Sequence, residues 1–139
     1  STYFHFAGNA EEAFRFYQAV FQTEFVGPIL RFGDLPPPPG QPPLPAEQAR
    51  RVMHIALPIL GGHVIMANDA PESMGRPTAG TNISINLEPD TRAETDRLFA
   101  ALKEGGKVEW APAEMAGGAY WGSLIDRFGI EWMFSCTAK

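Results

Sequence analysis

The chain is poor in the residues that mark several large functional classes. Its 139 residues include one cysteine, Cys136. No internal disulfide can form, so a reducing, cytoplasmic setting is expected. Cys136 itself reads as a small apolar filler near the end of the last strand. Positive charge is scarce: 11 Lys and Arg stand against 16 Asp and Glu, and no basic run exceeds Arg50-Arg51. Nucleic acid and anionic membrane are therefore not expected partners. No apolar run approaches the ~20 residues that span a bilayer, and the start does not read as a signal segment. GxGxxG, P-loop, GxSxG and HExxH patterns are missing. With them go the commonest nucleotide-binding, hydrolase and zinc-protease signatures, and no Rossmann methyl-donor motif stands in their place.

What is present is one pattern written twice. Tyr3-Phe4-His5-Phe6, then Gly8-Asn9, precede an amphipathic stretch over Ala10 to Phe21. Asn82 to Leu87, then Pro89-Asp90, precede a second such stretch over Thr91 to Glu104. Strands follow each. Internal repetition of this kind sets the architecture. With 45% hydrophobic residues, the chain suits a folded domain with a real core.

The first helix is expected to start at Asn9, with Glu12 completing a capping box. Ala10, Ala13, Phe14, Tyr17, Val20 and Phe21 recur at helical spacing and form its apolar stripe. Thr23 to Phe32 reads as a strand interrupted at Gly27-Pro28. Residues 33 to 45, rich in proline, read as a stiff loop, and the segment 34–45 is a candidate lid. Val52 to Leu60 and His63 to Ala67 read as strands joined by a two-residue Gly61-Gly62 hairpin. A linker over 70–79 separates a first module, 1–69, from a second, 80–139. Thr91 and Glu94 suggest another capping box, with Leu98, Phe99, Ala101 and Leu102 as the apolar side and Gly105-Gly106 as the stop. Lys107 to Trp110, Tyr120 to Ile125 and Ile130 to Cys136 read as the last strands, with Ala111 to Gly118 as a loop.

The closing Asp126-Arg127-Phe128-Gly129-Ile130-Glu131-Trp132 resembles the DxFGxxW turn of the vicinal oxygen chelate superfamily. That superfamily includes glyoxalase I, bleomycin-resistance proteins and extradiol dioxygenases. The opening Gly8-Asn9-Ala10-Glu11-Glu12-Ala13-Phe14-Arg15-Phe16-Tyr17 is similar to the PhnB-like branch, as are Met53-His54-Ile55-Ala56-Leu57 and Gly118-Ala119-Tyr120-Trp121-Gly122. The resemblance covers nearly the whole chain. It implies an α+β fold of two βαβββ modules, a curled mixed sheet around a cup with helices on the outer faces, and a homodimer.

The resemblance also implies where metal ligands would stand: on the first and fourth strands of each module. Those positions fall on Thr2, Met66, Asn82 and Met133, side chains unsuited to a hard divalent metal. No metal or other cofactor is therefore expected. Phe4, Phe6, Met66, Asn82, Trp121 and Met133 are expected to line the cup, with Trp110, Tyr120 and Trp132 near its walls. His54, inside an apolar strand, and Glu131, in phase with Met133, are the candidate acid-base groups. His5 is expected to turn toward the helix and His63 to be exposed. The expected function is binding of a small molecule in a metal-free cup. One alternative is a metal-dependent lyase, isomerase or dioxygenase, which needs three of His5, His54, His63, Asp69 and Glu131 to converge. Another is a metal-free enzyme with His54 or Glu131 as base.

Overall fold

The computed structural model describes residues 1–138. In chain order its elements are β1 (Thr2–Phe6), α1 (Ala10–Phe21), β2 (Leu30–Arg31), α2 (Ala46–Arg50), β3 (Val52–Pro58) and β4 (Val64–Asp69). They continue with β5 (Ile85–Leu87), α3 (Arg92–Leu102), β6 (Lys107–Glu114), β7 (Tyr120–Ile125) and β8 (Glu131–Cys136). Two four-stranded mixed sheets share one connectivity: β1-β4-β3-β2 and β5-β8-β7-β6. In each, the two strands that follow one another around a hairpin run antiparallel, and the first strand pairs parallel with the last. The repeat read from the sequence is thus an α+β fold of two copies of one unit. The units comprise Ser1–Pro77 and Thr78–Lys139.

In the first unit, every stripe residue of α1 is buried. Phe4, Phe6, Phe14 and Tyr17 pack edge-to-face with ring centroids 5.7–6.3 Å apart. Such pairs add about 0.5–1.5 kcal/mol each beyond area burial. Ile55, Leu57, Ile65 and Ala67 complete this core from the sheet. In the second unit, Leu98, Phe99 and Leu102 of α3 cover Leu124, Trp132 and Phe134, with Phe99 and Phe134 centroids 5.3 Å apart. Cys136 is fully buried there.

Several local expectations are corrected. Asn9 makes no side-chain cap bond. The buried Asp69 carboxylate caps α1 instead, accepting from Gly8 N–H at 3.1 Å and Ala10 N–H at 2.9 Å. Its other oxygen accepts from Val52 N–H at 2.8 Å. At α3, Thr91 Oγ1 does accept from Glu94 N–H, but the Glu94 carboxylate turns to Arg97. The strand expected over 23–32 shrinks to Leu30–Arg31, because Gly27 at φ 74° and Pro28 break the ladder. A 3₁₀ turn, Phe32–Asp34, and α2 interrupt the proline-rich region, with Pro45 in front of five good helix formers. The hairpin between β3 and β4 closes on Ile59 and His63, with Gly61 at φ 71°, ψ 12° in a turn that a side chain would strain. The strand expected from Asn82 begins only at Ile85. The expected 111–118 loop is partly strand, since β6 runs on to Glu114 through two register irregularities.

No helix among the described residues is long and apolar enough to cross a membrane.

Candidate functional site

Alternation along a strand sends successive side chains to opposite faces. Within its unit each sheet therefore has a face under its helix and a helix-free face. In β1 the phase is set by Phe4 and Phe6, which are 7% and 5% exposed beneath α1. They do not line an open surface, contrary to expectation, because the α1 stripe supplies the deepest apolar contact available to them. Tyr3 and His5 take the helix-free face instead, so His5 points away from α1. Thr2 shares the phase of Phe4 and lies off that face, its hydroxyl 2.9 Å from Nε2 of the exposed His63.

The β1/β4 register places Tyr3 opposite Met66 and His5 opposite Asn68. The Tyr3 ring lies 5.3 Å from that of His5 and 6.1 Å from that of the half-buried His54. Asn68 Oδ1 lies 2.7 Å from His5 Nδ1. With Nδ1–H as the donor, Nε2 of His5 keeps its lone pair for an incoming group. Burial pushes the Tyr3 phenol up from its ordinary value, so at neutral pH it is a neutral donor. Sequence reasoning missed Tyr3 and Asn68. The signal was there: Phe4 and Phe6 are more apolar than Tyr3 and His5, and that difference sets the phase.

The second unit's helix-free face is built from β6, β7 and β8. Ser123 pairs with Met133, and Trp121 with Ser135. Trp110, opposite Ser123 on β6, puts its indole 6.4 Å from that of Trp121. Trp110 is 55% exposed. Glu131 is in phase with Met133, as expected, and its carboxylate accepts from the Ser84 hydroxyl. Asn86, not Asn82, stands opposite Met133. Asn82 precedes the strand and is exposed. Two residues expected near the walls face the other way. Trp132 is fully buried, donating from Nε1 to Asp126 Oδ2 at 2.8 Å. Tyr120 donates to Asp96 at 2.6 Å, with Arg92 over its ring. The Asp96 hydrogen bond raises the Tyr120 pKa.

For a metal, the chemistry of the donors decides the fit. The first and fourth strands present Tyr3, His5, Met66 and Asn68 in one unit, and Asn86, Glu131 and Met133 in the other. A thioether from Met66 or Met133 is a poor ligand for a hard divalent ion. Asp69 is committed to three backbone donors, and His63 stands beside Thr2. Among the described residues no group of three or more His, Cys, Asp or Glu could hold a metal ion.

Comparison with known proteins agrees with this fold. The family model described as 3-demethylubiquinone-9 3-methyltransferase matches residues 1–135. Protein PA1353 of Pseudomonas aeruginosa is 34% identical in its crystal structure, with TM-score 0.78 over 97% of this chain and 94% of that one. The putative 3-demethylubiquinone-9 3-methyltransferase, PhnB protein, of Bacillus cereus is 25% identical, with TM-score 0.72 over 98% and 97%. A glyoxalase/bleomycin resistance protein/dioxygenase family enzyme of Burkholderia phytofirmans shares the fold, at 21% identity and TM-score 0.64 over 99% and 98%.

Proposed function

We propose, for a chain that belongs to the 3-demethylubiquinone-9 3-methyltransferase family, the PhnB-like branch of the vicinal oxygen chelate superfamily, that it binds a small planar organic molecule without a metal. The observation that carries this reading is the pair of indoles, Trp110 and Trp121, on the helix-free face of the second unit. Met133 and Ser123 sit next to them in register, and Glu131 lies in phase with Met133. An aromatic ring stacks against the indoles, and the Ser123 hydroxyl and Glu131 carboxylate orient its polar substituents. In the first unit, Tyr3, His5 and His54 offer a comparable mixture of rings and hydrogen-bonding groups.

Methyl transfer is not part of this reading. Both sheets are mixed and four-stranded, whereas a doubly wound parallel sheet is what seats a nucleoside-containing cofactor at its switch point. The homodimer belongs to the reading, supported by the uncovered Val108 on the edge strand β6.

The test uses 1-naphthol as a planar probe and the indole N–H signals of Trp110, Trp121 and Trp132 as reporters in ¹⁵N-labelled protein. The Trp110 and Trp121 signals should move while that of the buried Trp132 stays. W121A should weaken binding about tenfold, equivalent to about 1.4 kcal/mol. Saturable binding that leaves the indoles of Trp110 and Trp121 unmoved would refute the assignment.

A further inference from the structure

Away from the helix-free faces, the first unit holds two adjoining cavities. One, of about 320 Å³, lies between Ala7 and Ala70 and is lined by Arg51, Arg76 and Glu72. The other, of about 310 Å³, is lined by Phe32, Leu44 and Pro71 together with the same Arg51 and Glu72. The first is polar, two guanidinium groups against one carboxylate. The second presents mainly apolar surface, part of it from Leu44 of the proline-rich segment, with Gln48 and Ser73 also in its wall.

Arg51 is poised for an anion. Its side chain is 21% exposed, and its contacts to Glu47 and Glu72 are 3.7 and 3.9 Å, with both carboxylates largely in solvent. Charge-assisted hydrogen bonds are about 1 Å shorter, so neither contact uses the fork of donors fully. The guanidinium lies over Gly8, where a Cβ would make ordinary contact with Cζ and Nη2 at 3.6 Å. Arg76 makes no ion pair among the described residues.

We propose that the first unit carries a second binding site, for a small amphipathic carboxylate. The carboxylate sits between Arg51 and Arg76, and the hydrocarbon body lies against Phe32, Leu44 and Pro71. With Glu72 in the lining and Glu47 3.7 Å from Arg51, the two guanidinium groups carry little excess charge, which matches a monoanion and not a phosphate dianion. The end of the proline-rich segment thereby serves as a wall of this site.

Octanoate titrated into ¹⁵N-labelled protein tests the proposal. Amides of Ala7, Gly8, Ala70 and Gly75 should shift together and saturate. R76Q, an exposed substitution that leaves the fold intact, should weaken binding at least about fivefold, and R51Q more. Octanol, with the tail but no carboxylate, and acetate, with the carboxylate but no tail, should each bind more weakly than octanoate. Shifts confined to Tyr3, His5 or Trp121, no saturable shifts, or unchanged affinity in R76Q and R51Q would each overturn it. Because 1-naphthol carries no carboxylate, failure here and failure of the indole site are separate results.

Discussion

Asp69 is the residue on which the first unit's geometry most depends. One carboxylate, 1% exposed, holds the N-terminus of α1 through Gly8 and Ala10 and the start of β3 through Val52. In D69A three donors lose their acceptor. Gly8 is exposed and rebonds to water, but the Val52 and Ala10 bonds are buried. A buried donor left unsatisfied costs about 1–3 kcal/mol. The carboxylate no longer has to be desolvated, which offsets part of the loss. The net expectation is about 3 kcal/mol of destabilisation. D69N keeps one oxygen but must set its NH₂ against either Val52 N–H or the helix terminus, so about half that loss is expected. N9A should cost under about 0.5 kcal/mol, since Asn9 makes no cap bond. The assay is urea unfolding followed by far-UV circular dichroism, comparing midpoints at constant m. Tryptophan fluorescence is unsuitable because Trp110, Trp121 and Trp132 all lie in the second unit. Amide exchange should also speed up in α1 before α3. The reasoning fails if N9A costs as much as D69N, or if D69A unfolds within about 1 kcal/mol of the parent.

Two further outcomes follow from the charge and hydrogen-bond pattern. The Glu11 carboxyl is held below the usual glutamate range, first by its hydrogen bond from Arg31 at 2.9 Å and then by Arg15. Its stabilising effect is full above the unfolded-state value and is lost as pH falls through the lower folded-state one. E11Q should therefore be less stable by under about 1 kcal/mol at neutral pH, with the difference from wild type vanishing in acid, measured by thermal melts from pH 7 to 3. W132F removes the indole donor to Asp126 in a fully buried position. It should cost about 2–4 kcal/mol in chemical denaturation, and an effect below 1 kcal/mol would show that the indole acts only as volume.

How much was legible divides along the range of the interactions involved. The duplicated element order, the α1 stripe, the Thr91 cap and the Asp126-to-Trp132 turn all lay in short windows. Helical period, local capping and a tight turn depend on residues a few positions apart, and the sequence states those directly. The pairing of two βαβββ modules was what the family resemblance implied, and the two sheets share one connectivity. The phase of β1 did not follow from counting back from Gly8-Asn9, because a slip of one residue exchanges every side chain between faces. The competition between Phe4 with Phe6 and Tyr3 with His5 for the α1 stripe settles it. In the sequence Asp69 stands only as one of five groups whose convergence a metal would need. The three partners of Asp69 lie 17 to 61 residues away; the parallel β1/β4 pairing brings Gly8 and Ala10 within reach, and the antiparallel β3/β4 pairing brings Val52.

By itself, then, the sequence determined the fold class, the repeat and the apolar stripes, because local periodicity carries that information. Only the tertiary structure decided which residues share a helix-free face, that Trp110 meets Trp121, and that Arg51 joins Leu44 and Arg76 around adjoining cavities. Strand register and loop closure unite residues far apart in the chain, and no local pattern specifies where such segments meet.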